Sequence, residues 1–281
     1  MIPSKHTNTV YLSELLQSDN RFNTTCNSLT GLFDKHNIAY KFIKGTKDIW
    51  CRDYMPIQIR KGEYIQFRYE PSYLEDDLNL QSDPKQVCIA NNIEPKFTNI
   101  NFDGGNIVNW SEKAIITDRV FDENPEYNSK TKLISELENL LSIEIIVISQ
   151  IKSDMTGHAD GLVRFVNQNT ILGNDRNREY TYWKTGMNKI LKDHGIEYID
   201  IPFLEHKEKK YPDHAIGCYV NYLEVGNLIV LPIFETNGNK DDEVYDQFKQ
   251  IFPDRMVEII NYNSIGLHGG LLNCTTWTVE E

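Results

Sequence analysis

His158 and Asp160 form a candidate acid–base pair. Residues two apart face the same side of a strand, so an imidazole would lie beside a carboxylate there. A histidine and an aspartate at this spacing are common by chance, and most such pairs are structural. The pair therefore indicates a catalytic site only if the fold brings a nucleophile and further charged groups close to it.

Cys274 is the candidate nucleophile. It follows the paired glycines Gly269 and Gly270, which permit close approach of a ligand to the backbone. A free cysteine is more often a small buried hydrophobic residue, and we interpret most of the other four in this way. An ordinary thiol of pKa about 8.5 is only a few per cent ionised at neutral pH. It needs a protonated histidine or a bound cation, which His158 and a cationic substrate would supply.

Asp53 and Asp103 are the remaining candidates for the site. An aspartate before two glycines is ordinarily a turn residue. Together with Asp160, however, they would place three carboxylates beside one thiol and repel one another unless a cation lay between them. A guanidinium group suits this position, because its planar N–H donors match carboxylate oxygens. Each charged hydrogen bond would contribute about 1.5–3 kcal/mol to binding. Trp50 could stack on the face of that cation.

These residues lie in five short segments that recur along the chain at nearly constant spacing. The segments are 52–57, 104–108, 160–165, 217–220 and 269–272, and the steps between equivalent points are 52, 56, 56 and 53 residues. Such a period is typical of rings and solenoids whose units bury their apolar faces against one another. A ring places equivalent points of its units around one axis, so distant candidate residues would converge on one pocket.

Each interval between these segments has the pattern of strands and one helix. Apolar residues at helical spacing predict helices over 133–141, 180–191 and 244–252. Further helices are predicted around 11–16 and ending near 36–37, and a weak one around 84–91. Strands are predicted at 64–69, 114–117, 143–148, 170–172, 196–201, 219–224, 228–234 and 256–262, with a hairpin at 225–227. We therefore predict an α/β fold, a five-bladed pseudo-symmetric propeller of ββαβ-like repeats, forming a single catalytic domain over residues 1–281. The irregular stretch 70–83 is either a lid or a surface insertion.

Composition excludes several classes of protein. A net charge of −12 argues against nucleic-acid binding, which requires clustered Lys and Arg. No signal peptide is readable, and the longest apolar runs are too short to cross a bilayer, so we expect a cytoplasmic protein without a membrane partner. The five cysteines are scattered and lack metal-type spacing, so we expect no metal and a reducing compartment. Homodimer assembly is left open.

The order of the motifs resembles that of the agmatine deiminase and bacterial Porphyromonas-type peptidylarginine deiminase family, within the guanidine-modifying (pentein) superfamily. The motifs are Trp50-x-Arg52-Asp53-x-x-Pro56, Asp103-Gly104-Gly105-Asn106, Gly157-His158-x-Asp160-Gly161, Phe252-Pro253-Asp254-Arg255 and Gly269-Gly270-x-x-x-Cys274. The resemblance runs from about residue 48 to 277. It implies a five-bladed fold, Cys274 as nucleophile, His158 as general acid–base, and Asp53, Asp103 and Asp160 as ligands of the guanidinium.

The resemblance also implies the reaction. A small cationic guanidino compound would be hydrolysed to a ureido product and ammonia through a covalent thiouronium on Cys274, without a cofactor. Two departures affect the substrate: Asp103 stands where agmatine deiminases usually carry Glu, and 271–273 differs from their usual sequence before the nucleophile. Arginine would need a cation for its carboxylate, with Arg52, Arg164 and Arg119 as candidates, and we favour agmatine. An amidinotransferase and a non-catalytic binding propeller remain alternatives.

Overall fold

The structure, a computed structural model, describes all 281 residues. Its strands are β1 (Thr9–Ser13), β2 (Ala39–Ile43), β3 (Ile57–Arg60), β4 (Glu63–Arg68), β5 (Lys96–Asn101), β6 (Ile107–Trp110), β7 (Lys113–Thr117), β8 (Glu144–Ile148), β9 (Val163–Asn167), β10 (Thr170–Asn174), β11 (Glu197–Ile201), β12 (Leu223–Val225), β13 (Leu228–Ile233), β14 (Met256–Asn261) and β15 (Thr276–Val279). Its helices are α1 (Glu14–Ser18), α2 (Asn23–His36), α3 (Cys51–Tyr54), α4 (Pro84–Ala90), α5 (Arg119–Asp122), α6 (Lys130–Leu141), α7 (Thr181–His194), α8 (Asp241–Ile251) and α9 (Asn263–Gly266).

The strands form five sheets of three, and all five sheets have the same topology. Their orders are β15-β1-β2, β3-β4-β5, β6-β7-β8, β9-β10-β11 and β12-β13-β14. In each sheet the first two strands are antiparallel, and the second and third are parallel. A parallel pair needs a crossover connection, which a helix supplies in every sheet. The predicted α/β propeller of five ββαβ blades is confirmed.

The blade helices form where the sequence places an apolar stripe between two end signals. In α6 the stripe of Leu133, Leu137 and Leu141 is fully buried. The side chain of Ser129 accepts a hydrogen bond from the Lys132 N–H at the start of this helix, and Ser142 ends it in the left-handed conformation. The three helices predicted from strong periodicity are confirmed as α6, α7 and α8, and the weaker one at 84–91 is confirmed as α4.

The helix predicted around 11–16 is wrong for its first half, and its second half belongs to α1. Residues up to Ser13 belong to β1, which pairs with both β15 and β2, and the helix α1 begins only at Glu14. The side chain of Ser13 accepts a hydrogen bond from Leu15 N–H and so marks the boundary. Because both partners of β1 are distant in sequence, this tertiary pairing outweighs the local apolar pattern that suggested a helix.

The strand predicted over 219–224 is wrong for most of its length. Only Leu223–Val225 is a strand, and the preceding residues form turns. In these turns the Asn221 side chain accepts a hydrogen bond from the backbone N–H of Asn273, which holds the segment away from a ladder. The predicted hairpin at 225–227 is confirmed between β12 and β13.

The five recurring segments all precede the first strand of a blade. They contain α3 before β3, short 3-10 turns at Gly104–Asn106 and Ala159–Gly161 before β6 and β9, and turns before β12 and β15. They consequently lie at the same end of every sheet and face one mouth of the ring. None of the helices has both the length and the apolar character needed to cross a membrane.

Candidate active site

Cys274 lies in the turn before β15, in the first blade, and its sulfur is held by the fifth blade. The Asn221 side chain donates its Nδ2–H to Cys274 Sγ at 3.2 Å, and its Oδ1 accepts the backbone N–H of Asn273 at 3.0 Å. The sulfur also lies 3.8 Å from Asp160 Oδ2. These contacts fix the direction of the thiol from two neighbouring blades.

Trp50 lies directly beside the nucleophile. A Cβ atom on Gly270 would stand 2.5 Å from Cζ3 of Trp50 and 3.1 Å from Cβ of Cys274, so only glycine fits between them. Asp48 Oδ1 accepts the backbone N–H of Trp50 at 2.9 Å and orients that residue. Burial raises the pKa of Asp48 to about 7. The indole is therefore in position to form one wall of a pocket at the thiol.

His158 lies between two carboxylates from two other blades. Its Nε2 is 2.9 Å from Asp103 Oδ2, and its Nδ1 is 3.6 Å from Asp53 Oδ1. Burial alone lowers the pKa of His158, but the charges of Asp53 and Asp103 and the hydrogen bond to Asp103 outweigh it and raise the pKa to about 10. At neutral pH His158 is therefore an imidazolium.

The backbone approaches this ion pair closely at Gly105. Its N–H donates to Asp53 Oδ1 at 3.1 Å, and a Cβ atom here would lie 2.5 Å from both Asp53 Oδ1 and His158 Nδ1. Burial raises the pKa of the Asp53 carboxyl, the charges of Asp103 and Asp160 raise it further, and His158 opposes them. Glycine at position 105 is thus required by the packing of the site.

His158 and Asp160 do not act as the expected neighbours on one strand. Both precede β9 in a turn, and their side chains contact different partners. Asp160 is almost fully buried and accepts the side-chain N–H of Asn273 at 2.6 Å, next to the thiol. His158 makes no hydrogen bond to Cys274. The turn therefore delivers the imidazole and the carboxylate to two different parts of the site.

Two arginines of the motifs hold the backbone of the site. Arg52 donates its side-chain Nε–H to the carbonyl of Asn273 at 3.3 Å and its backbone N–H to the carbonyl of Cys274 at 3.1 Å. Arg164 donates to the carbonyl of Tyr222 at 2.8 Å, with its guanidinium 4.5 Å from the centre of that ring. Both arginines thus support the segments that position the thiol.

The surroundings of Cys274 favour the neutral thiol over the thiolate. Burial raises its pKa well above 9, and the negative charges of Asp160 and Asp53 raise it further. The amide of Asn221 opposes the shift but does not reverse it. An incoming cation between the thiol and these carboxylates would act in the opposite sense, because it stabilises a thiolate.

Sequence reasoning missed four residues that contact this site: Asp48, Tyr73, Asn221 and Asn273. Tyr73, from the irregular stretch 70–83, donates its hydroxyl to Asp103 Oδ2 at 3.0 Å. The only available sequence signal was proximity to a motif, which Asp48, Asn221 and Asn273 have and Tyr73 lacks.

Two further histidines, His214 and His268, pack against other aromatic rings. The His214 ring packs on the His206 ring, and its Nδ1 accepts the N–H of Ile216. The His268 ring packs between Phe22 and Tyr211. These contacts are local packing contacts in the loops around the mouth.

Five ββαβ blades with a thiol, an imidazole and three carboxylates gathered at one mouth define an α/β propeller of the guanidine-modifying type. The model of the Porphyromonas-type peptidyl-arginine deiminase family matches residues 9–279, and the chain belongs to that family. No curated protein sequence matches the chain significantly.

Solved structures share the fold over nearly the whole chain. An agmatine deiminase of C. jejuni with substrate bound is 18% identical with a TM-score of 0.79, and the match covers 100% of this chain and 96% of that one. An agmatine deiminase of Enterococcus faecalis is 14% identical with a TM-score of 0.75, covering 100% and 95%. The N-terminal domain of ArgZ, covalently bound to a reaction intermediate, is 10% identical with a TM-score of 0.62, covering 97% and 98%. At these identities the likeness concerns the fold.

Proposed function

We propose that the protein hydrolyses the guanidino group of a small cationic substrate to a ureido group and ammonia, through a thiouronium on Cys274. One observation carries this proposal. A thiol, an imidazolium and three carboxylates lie together at the mouth of the ring, and the carboxylates match the charge and the planar N–H donors of a guanidinium. Membership of a deiminase family supports the same reaction.

The first half-reaction starts when the guanidinium enters. Asp160 and Asp53 accept its N–H groups, and its positive charge favours loss of the thiol proton to solvent. The thiolate of Cys274 then attacks the guanidinium carbon and forms a C–S bond. His158 gives its proton to one amino nitrogen, the C–N bond breaks, and ammonia leaves. A positively charged thiouronium and a neutral imidazole remain.

The second half-reaction reverses the role of His158. The neutral imidazole takes a proton from water, and the hydroxide adds to the thiouronium carbon. The adduct collapses with cleavage of the C–S bond, and its hydroxyl proton passes to the departing sulfur, which releases the neutral ureido product and restores the thiol of Cys274. The pairing of His158 with Asp103 and Asp53 favours this cycle, because two carboxylates stabilise the imidazolium that must re-form.

We favour agmatine over arginine as the substrate. Arg52 and Arg164 hold backbone carbonyls, and Arg119 forms an ion pair with Glu123 at 2.7 Å. Each of the three arginines considered for a substrate carboxylate is therefore already engaged. The net charge of −12 also favours a substrate whose other end is positive. The free thiols of all five cysteines support a reducing compartment, and we place the protein in the cytoplasm.

The test is a panel of agmatine, arginine, an arginyl peptide and a methylarginine, with ureido product and ammonia measured together. We expect turnover of at least one compound, loss of turnover in Cys274→Ala, and retention in Cys26→Ala, whose thiol lies in α2. The proposal is wrong if the folded protein turns over none of these guanidines. Added glycine distinguishes the amidinotransferase alternative, since a guanidino product would then accumulate in place of the ureido one.

A further inference from the structure

We infer that Tyr73 is a positioning residue for this reaction, which fixes Asp103 through a hydrogen bond supplied by the irregular loop 70–83. This inference rests on the proposed function. The hydroxyl of Tyr73 and Nε2 of His158 both contact one oxygen of Asp103, Oδ2, at 3.0 and 2.9 Å. With Oδ2 occupied twice, Oδ1 is the oxygen that Asp103 presents to a guanidinium.

The hydroxyl is a suitable donor at every working pH. Burial raises the pKa of Tyr73 well above 10, and the charge of Asp103 raises it further, so the hydroxyl keeps its proton. The Tyr73 ring also lies edge-on to the His158 ring, with centres 6.0 Å apart. Tyr73 therefore limits the movement of both the carboxylate and the imidazole.

The loop is tied to the strand that delivers Asp103. Asn101, at the end of β5, donates its side-chain N–H to the carbonyl of Glu70 at 2.7 Å and accepts the N–H of Glu70 at 2.9 Å. The start of the loop thus moves together with the chain two residues before Asp103.

A second anchor lies next to Tyr73 itself. Glu123 accepts both the backbone N–H and the hydroxyl of Ser72, and Arg119 donates to the Ser72 hydroxyl at 2.7 Å. Arg119 and Glu123 are also paired with each other. Ser72, the residue before Tyr73, is therefore fixed by three polar contacts. Arg119 thus helps to hold the loop in place.

The length of the aspartate side chain explains the need for such support. Asp103 has a short side chain with its carboxylate close to the backbone, and its partners on Oδ2 come from the fourth blade and from the loop. Removing the hydroxyl leaves one partner and allows the carboxylate to rotate. The guanidinium carbon would then be less often aligned with the thiol.

The first test compares Tyr73→Phe with Tyr127→Phe, a matched control whose half-buried hydroxyl donates to a different carboxylate, that of Glu136. The hydroxyl of Tyr73 donates to a charged group, and hydrogen bonds of this kind are stronger than neutral ones. We therefore expect kcat/KM to fall about tenfold or more in Tyr73→Phe. The fall should lie mostly in kcat, with a melting temperature lowered by only a few degrees, as expected for the loss of one hydrogen bond. Tyr127→Phe should match the wild type.

A double-mutant cycle tests whether the hydroxyl acts through Asp103. In the Asp103→Asn background, Tyr73→Phe should cause little further loss, because the carboxylate it orients is gone. Equal losses in both backgrounds would overturn the inference, and so would a Tyr73→Phe protein with wild-type kinetics.

Labelling of Cys274 by 2-chloroacetamidine and by 2-chloroacetamide separates the role of Tyr73 from the proposed hydrolysis of guanidines. Both reagents carry the same leaving group, but only the first is a cation that the carboxylates recognise. We expect the wild type to prefer the amidine and Tyr73→Phe to lose most of that preference. A preference fully retained in Tyr73→Phe overturns the role of Tyr73 alone. A wild type with no preference and no turnover of guanidines overturns the proposed function, and the role of Tyr73 with it.

Discussion

At the scale of single residues, the raised pKa of the Cys274 thiol can be tested without a substrate. Its pKa is raised well above 9 by burial and by the nearby carboxylates. We therefore expect slow alkylation by neutral iodoacetamide at pH 7 and a rate that keeps rising with pH without a plateau through pH 9, since the thiolate is the reacting species. Mass spectrometry of the labelled protein measures this rate, with Cys274→Ala as the background. A plateau near neutral pH would contradict the neutral thiol.

His158 couples the charge of the site to stability. Its pKa in the folded protein is about 10, above the ordinary value of 6.5, so the protonated form favours folding. That contribution is fully present below about pH 6.5 and is lost as the pH rises through about 10. We expect the melting temperature of the wild type to exceed that of His158→Gln at pH 6, with a gap that narrows towards pH 10. A gap that widens with pH would mean that the imidazole is neutral in the folded protein.

At the scale of elements, two glycines in equivalent turns give a matched comparison. A methyl group at Gly105 would meet Asp53 and His158 at 2.5 Å, whereas one at Gly161 has no neighbour within 4 Å and no left-handed backbone to strain. We expect Gly105→Ala to lose at least about a hundredfold in kcat/KM, because displacement of catalytic groups by about 1 Å is that costly. Gly161→Ala should keep near wild-type kinetics. Similar losses in both variants would mean that the turns tolerate no side chain at all.

Elements with local periodicity were predictable from sequence, and those defined by distant partners were not. The stripe of α6 repeats within one segment, so its helix follows from residues 133–141 alone. By contrast, β1 is a strand because it lies between β15 and β2, which come from opposite ends of the chain. The repeat of five segments was sufficient to predict that the candidate residues share one mouth.

The polar network around those residues was not predictable for the same reason. Asn221 contacts the thiol through a turn that the apolar pattern suggested to be a strand. Tyr73 reaches Asp103 from a loop that has no periodic pattern. Such contacts depend on the relative placement of blades, and a single sequence contains no local signal for it.

At the scale of the whole molecule, the ring is closed by its last strand. Trp277 in β15 is almost fully buried and donates its indole N–H to the carbonyl of Pro56 at 2.7 Å, which joins the first blade to the second. We expect Trp277→Ala to lower the free energy of unfolding by about 3–5 kcal/mol. Phe97→Ala, which removes a ring that is 50% exposed, should change it by less than about 0.5 kcal/mol. Chemical denaturation of both variants measures the difference, and equal effects would show that the closure contributes little.

The pairing of β15 with β1 has a consequence for biosynthesis. Thr9 pairs with Val279, so a nascent chain emerging from the ribosome has only two strands of its first blade until β15 has been made. Cys274 lies just before that segment. The four intervening blades would fold in order during translation, while the ring stays open and lacks its thiol. Ring closure and the arrival of Cys274 at the site would then depend on the same step, the pairing of β15 with β1.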